Sequence, residues 1–346
     1  MYRFFPCYVV FLFCCTSSLL FGQELKPSGA NVNGLPLPEW TKNIVFDTHA
    51  YEWFTDGDIA NRVVALYEVD SNPEDTGPQD IRINQSFDTD SNLYIVGGEV
   101  GYRFGFPFLQ RITVGVETAQ GDSRSMHGRE TEFDALSDES DQWGFARFGG
   151  WDASRYFRAS LFYRPLEGKL SKDVSGFFDI LGEWIKYKDR IGYRGWDVGG
   201  DEDGQDWGSR FYDKYRYEGG GVGFRGGLGF FDMVSLKGQF TWYPGLSVKG
   251  SMREVPDDPE ENSAETTSLL GSDGRGKSFR VTMGFTPFKK RKNLEIECGY
   301  QYMEFEQDGG QFRSQESGED TDLTTGKWKK ASNYRDGFLV GGTLRW

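Results

Sequence analysis

The chain holds two histidines, so hydrolytic chemistry near neutral pH would run through one of them or through paired carboxylates. His49 stands in "FDTHAYEW", two residues after Asp47. On an extended strand that spacing points both side chains to one face. An acid beside an imidazole can orient it and support a general base. The plainer reading is an interior polar pair. His127 lies in "SMHGRETEF", followed by Glu130 and Glu132. A histidine with two carboxylates can activate a water, while the plainer reading is a solvated charge run, because acids crowd that region. No Ser-His-Asp arrangement follows from residue order alone, and no His/Cys cluster has zinc spacing. "DVGGDEDGQDWGS" and "SFDTDSN" supply carboxylates that suit hard cations, but neither has the spacing of an EF-hand loop. "GGGVGFRGG" continues a strand and opens no helix, so it is no phosphate loop. Neither a metal site nor a cofactor is expected.

The elements that would position these residues alternate with period two. In "SFRVTMGF" Phe279, Val281, Met283 and Phe285 oppose Arg280, Thr282 and Gly284. In "VSLKGQFTW" Val234, Leu236, Phe240 and Trp242 oppose Ser235, Lys237, Gln239 and Thr241. In "NLYIVGGEVGYRF" Tyr94, Val96, Val100, Tyr102 and Phe104 oppose Gly97, Glu99, Gly101 and Arg103. Lysine, arginine and glutamate at alternate positions are costly in a dry core. They suit a barrel with lipid outside and a polar lumen inside.

Composition agrees. The net charge is −14, there are 46 glycines, and 16% of residues are aromatic, yet mean hydropathy is −0.58. In a transmembrane barrel only one residue in two faces lipid, and girdles raise the aromatic count. The acidic balance excludes a basic stripe for nucleic acid. Residues 1–22 read as a signal peptide: Arg3, the apolar "FFPCYVVFLFCC", then small residues with a cut after Gly22. Cys7, Cys14 and Cys15 leave with it, so Cys298 has no intramolecular disulfide partner. Residues 23–42 then form a periplasmic segment and 43–346 the barrel.

Some connections are tight, at 105–108, 229–233 and 288–293. Others are long and acidic: 56–91, 121–142, 195–210, 250–277 and 307–333. Short turns on the periplasmic side and long loops outside the cell are the outer-membrane pattern. The expected fold is therefore all-β, an antiparallel up-and-down transmembrane barrel of ten strands, with eight or twelve as alternatives. The strands fall near 43–54, 92–105, 109–120, 144–164, 177–194, 211–229, 233–249, 278–288, 293–306 and 334–346. The last one, "GFLVGGTLRW", sets Phe338, Val340, Leu344 and Trp346 on one face and must close against the first strand. Its terminal aromatic resembles the C-terminal signal of outer-membrane barrels, with Trp in place of the commoner Phe. That resemblance implies recognition by the barrel-assembly machinery.

Several stretches together resemble the omptin family of ten-stranded outer-membrane proteases. These are "NRVVALYEV", "YIVGGEVGYRFGFPFLQRITVGVETAQG", "YDKYRYEGGGVGFRGGLGFFDMVSLKGQFTWYPG", "SFRVTMGFTPFKKRKNLEIECGYQYMEF" and "YRDGFLVGGTLRW". The resemblance lies in glycine and aromatic spacing. It implies an Asp-x-His pair just beyond the seventh strand and an acidic pair after the third, which together activate water against a peptide bond, usually between basic residues. Here Arg253 and Val255 fall where the Asp-x-His pair would be, and Glu130 and Glu132 fall at the acidic pair.

Three functions remain as expectations. The first is a non-enzymatic barrel acting through extracellular loops on a ligand the sequence does not name. The second is an endopeptidase with a rearranged site, using Asp47 and His49, or His127 with Glu130 and Glu132. The third is a narrow pore, whose inward charges Glu99, Arg103, Arg225, Lys237, Arg280 and Glu297 pair across and plug it. The expected surroundings are outer-membrane lipid and lipopolysaccharide.

Overall fold

The computed structural model describes residues 42–67, 79–106, 108–134, 142–197, 208–257, 265–287, 293–316 and 323–346. The signal peptide expected at 1–22 and the N-terminal segment expected at 23–42 lie outside them, save Lys42. Ten antiparallel strands form one closed ring. They are β1 (Ile44–Tyr67), β2 (Gln79–Phe106), β3 (Leu109–Asp134), β4 (Gln142–Lys169), β5 (Val174–Asp197), β6 (Ser209–Phe230), β7 (Val234–Pro256), β8 (Glu265–Phe285), β9 (Leu294–Glu316) and β10 (Leu323–Arg345). "FARFGGWDASRYFRASLFYR" is part of one strand, β4, so ten strands replace the alternatives of eight and twelve.

Each strand is 21 to 28 residues long, against the ~9–11 a tilted strand needs to cross a bilayer. The long loops expected at 56–91, 121–142, 250–277 and 307–333 are therefore mostly strand; of the one expected at 195–210, residues 198–207 lie outside the described ones. Beyond the lipid the outward face no longer has to be apolar, so the sequence loses its apolar-out signal while hydrogen bonding continues. On β2, Phe87, Thr89 and Ser91 still point inward and Asp88 and Asp90 outward.

The start of β1, the end of β10 and the tight turns share one end of the barrel. The β6–β7 turn places Phe231 and Asp232 at positive φ, 53° and 57°, and Met233 N–H donates to the Phe230 carbonyl at 3.0 Å. Two central residues at positive φ match the right-handed twist of the flanking strands. The ring closes where β10 pairs with β1, from Asp47 opposite Arg345 to Ala65 opposite Gly326. Trp346 N–H donates to the Phe46 carbonyl at 2.8 Å, so the last residue still belongs to the closure.

The predicted faces hold. Val96, Val100, Val114, Leu161, Val222, Met283 and Val340 are exposed on an apolar outward belt. Trp151, Trp184, Trp242 and Tyr334 edge it toward the long-strand end, and Phe106, Phe108 and Phe231 edge it at the turn end. Cys298 is also exposed outward. Glycines inside make room for rings: a Cβ on Gly221 would meet Tyr243 Cδ1 at 2.6 Å, and one on Gly227 would meet Phe177 Cε1 at 2.4 Å.

Candidate functional site

The lumen is filled in layers. At mid-barrel the hub is Glu117 of β3, an inward residue 7% exposed. It sits inward because Val114 and Val116 take the outward positions on either side of Gly115. Arg280 of β8 clamps its carboxylate with two bonds, Nη1 to Oε2 at 2.7 Å and Nη2 to Oε1 at 2.8 Å. Tyr156 Oη donates to Oε1 at 2.7 Å, and His49 Nε2 lies 2.9 Å from Oε2. Arg158 stands 3.8 Å from Glu117 and 3.4 Å from Glu183. Glu183 in turn accepts from Ser160 Oγ at 3.2 Å, from Gln239 Nε2 at 3.3 Å and from Tyr243 Oη.

Toward the turn end, Arg225 bridges Glu99 and Asp179, with Nε 2.9 Å from Asp179 Oδ2. Lys237 bridges Glu295 and Glu297, each at 2.9 Å. Of the inward charges expected to pair across, Glu99 with Arg225 and Lys237 with Glu297 do so. Arg280 pairs with Glu117, and Arg103 makes no ion pair among the described residues.

Above the hub the lumen departs from the polar interior expected of it. Trp53, Leu93, Ile185, Tyr187, Tyr217 and Phe305 are fully buried there, with ring centroids 5.1 Å apart for Tyr187–Phe305 and 5.3 Å for Tyr217–Phe305. A ten-strand ring is narrow enough for side chains to fill. A register shift between Tyr243 and Leu246 turns both inward and adds to this core. Inside it lies Arg335, 0% exposed, bonded to Asp152 at 2.8 Å and Ser91 Oγ at 2.7 Å, with Asp189 at 3.4 Å. Nearer the long-strand end, the Phe148 and Tyr193 rings pack tilted with centroids 4.7 Å apart, and Tyr193 and Phe211 stack at 5.2 Å.

At that end Gln85 Nε2 donates to Glu130 at 2.6 Å. Asp213 lies there too, well beyond Val222, the last exposed apolar residue of the belt on β6. Burial pushes the Asp213 carboxyl up to about 8; the Glu130 charge adds to this, and hydrogen bonds from Tyr215 and Tyr193 oppose it.

The structure separates the residues that the sequence groups. Asp47 and His49 share the inward face, but His49 bonds Glu117 and Asp47 makes no ion pair among the described residues. His127 is exposed outward while Glu130, three residues on, is buried inward. Glu132 follows on β3, opposite Ile83. Arg253 and Val255 lie on β7 at the long-strand end, opposite Tyr212 and Arg210. "SFDTDSN" is strand, with Asp88 and Asp90 exposed on its outer face. The sequence reading passed over Glu117, Glu183 and Arg335. Their signal was present as a lone charge on the inward parity of an apolar alternation.

No protein-family model and no curated protein matches the chain. Among solved structures, the outer membrane protease OmpT from Escherichia coli aligns with TM-score 0.58 at 14% identity, over 87% of this chain and 97% of that one. The fold is omptin-like. At that identity the likeness concerns the omptin-like fold alone. A FadL homologue from Pseudomonas aeruginosa (10% identity, 87% and 90% of the two chains) and the toluene transporter TodX from Pseudomonas putida (11%, 84% and 89%) align with TM-scores of only 0.25 and 0.24. They add nothing to the omptin-like assignment.

Proposed function

We propose that the chain is an outer-membrane β-barrel with a closed lumen, acting without catalysis at the cell surface through the strand extensions and connections at its long-strand end. The carrying observation is the placement of the histidines. His49 is held at mid-barrel by Glu117, and His127 faces outward. Neither stands on the inner face of the end where the family resemblance would put a water-activating pair, and by the spacing of that resemblance Arg253 and Val255, on β7, fall where the pair would be. Glu117 is saturated by Arg280, Tyr156 and His49, which suits a structural pin. The buried layers above it support a barrel that conducts little. Lipid, lipopolysaccharide and the barrel-assembly machinery are the surroundings this reading implies.

The test refolds residues 23–346 in detergent with lipopolysaccharide, checks folding by heat-modifiable gel mobility, and offers peptides rich in Lys-Arg and Arg-Arg pairs. Mass spectrometry should find no cleavage. Cleavage by the folded barrel that disappears in His49→Ala or His127→Ala refutes the reading and establishes a relocated base. In planar bilayers, a large and stable single-channel current contradicts the closed lumen.

A further inference from the structure

At the turn end of the lumen three arginines stand side by side on the inward face. Arg103 of β2 is directly opposite Arg111 of β3, and Arg111 is directly opposite Arg164 of β4. Like charges across neighbouring strands repel, so the row calls for counter-charge. Arg164 has it in Asp179 at 2.6 Å and Glu167 at 3.0 Å. Arg111 makes no ion pair among the described residues, although the carboxylates of Asp47, Glu99, Glu167 and Asp179 lie near enough to act on it. It is 7% exposed, and its Nε is buried without a hydrogen-bond partner. Such a group loses its hydration with no hydrogen bond in exchange.

The carboxylates around it are committed elsewhere. Glu99 and Asp179 serve Arg225, and Glu295 and Glu297 serve Lys237. Asp47, opposite Arg345, makes no ion pair among the described residues, and neither do Arg103 and Lys169 in the same chamber. The chamber encloses about 520 Å³, and Lys169, Ser175 and Gly229, next to the tight turns, are among its lining residues. Nine cationic side chains and five carboxylates line it, and Asp179, Glu183 and Glu295 stand behind them as partners of Arg164, Arg225, Arg158, Lys237 and Arg345, which leaves Arg103, Arg111 and Lys169 as its cations without an ion pair among the described residues. Gly101 leaves space for the Arg111 stem, since a Cβ there would lie 3.1 Å from Arg111 Cδ.

We propose that this chamber binds a phosphate group entering from the turn end, with Arg111 as its central ligand and Arg103 beside it. Guanidinium forks match phosphate oxygens in geometry, and a phosphate carries enough charge to serve two of them. The chamber exceeds a bare phosphate, so the group can be free or carried on a lipid headgroup. The proposal stands apart from the chemistry of the opposite end.

The experiment is calorimetric titration of refolded 23–346 in maltoside, at constant ionic strength in chloride. The probes are inorganic phosphate and dihexanoyl phosphatidic acid. Saturable single-site binding is expected, weakened at least tenfold in Arg111→Gln, partly kept in Arg111→Lys, and unchanged in Arg253→Gln at the far end. Phosphate should raise the thermal midpoint of the parent protein, and Arg111→Gln should raise it without phosphate by relieving the repulsion. Binding of phosphatidic acid alone identifies a lipid headgroup as the source, and binding of both identifies free phosphate. If Arg111→Gln does not fold, the exposed Arg103→Gln carries the test, with at least threefold weakening. Absence of saturable binding by either probe overturns the proposal. So does equal binding in Arg111→Gln and Arg103→Gln, the result of an adventitious ion only.

Discussion

Replacing Glu117 by glutamine tests the hub most directly. The two side chains have the same shape, so no cavity opens and the effect is electrostatic. Glu117 now accepts from Arg280 twice, from Tyr156 and from His49, and Arg158 stands 3.8 Å away. A glutamine turns an amide donor toward one of the Arg280 nitrogens and leaves that bond unmade. It also removes the charge that Arg280 and Arg158 share, so Arg280 is left with neutral acceptors: the new amide oxygen, Gln301 Oε1 and Tyr156 Oη. Breaking a buried pair while leaving its partner charged costs about 3–5 kcal/mol. With a urea slope on the order of 3 kcal/mol per M, the unfolding midpoint should fall by about 1–1.7 M. The assay follows urea unfolding of the refolded barrel by tryptophan fluorescence and by heat-modifiable gel mobility. Adding Arg280→Gln to Glu117→Gln should cost less than the sum of the single changes by about 0.5–3 kcal/mol, because the orphaned charge is gone. A single-variant shift under about 0.3 M, or strict additivity, refutes the argument that Glu117 pins the layer.

Gly97→Val should destabilise by about 1–3 kcal/mol and free the His49 ring, since a Cβ there would lie 2.4 Å from His49 Nε2. Gly98→Ala, whose nearest neighbour would be 3.5 Å away, should stay within about 0.5 kcal/mol; equal effects at the two sites contradict the assigned faces. The Asp213 carboxyl, raised to about 8, keeps a proton in the folded chain that the unfolded chain has lost above about pH 4. Stability therefore falls as pH rises from about 4 to about 8 and then levels off. Urea midpoints at pH 5 and pH 9 should show this loss in the parent protein and much less of it in Asp213→Asn; equal losses disprove a buried protonated Asp213. Val340→Arg, on the outward belt, should cost about 2–4 kcal/mol in phospholipid bilayers, and a neutral result there places β10 away from lipid.

The alternation settled more of the fold than any motif did. A strand's side-chain period is two whatever its partners, so Phe279, Val281 and Met283 could be read as outward and Arg280 as inward before any pairing was known. That the last strand closes the ring followed from the need to leave no edge. Parity could not mark the strand ends. Past the lipid, the outward side of β2 carries Asp88 and Asp90, and a strand with two polar or mixed faces looks like a loop from composition alone.

What met inside was decided only by tertiary structure. Glu117 and Arg280 are 163 residues apart, and Arg335 and Asp152 are 183 apart. Parity says that each of these side chains enters the lumen, but not at what height or opposite which strand. Height follows from register and strand tilt around a ring, and each partner is chosen from many inward charges. For this reason Asp47 and His49, paired by spacing, parted in the structure, and His49 found Glu117. The row of Arg103, Arg111 and Arg164 likewise appears only once three strands are in register, because each arginine alone is an ordinary inward charge.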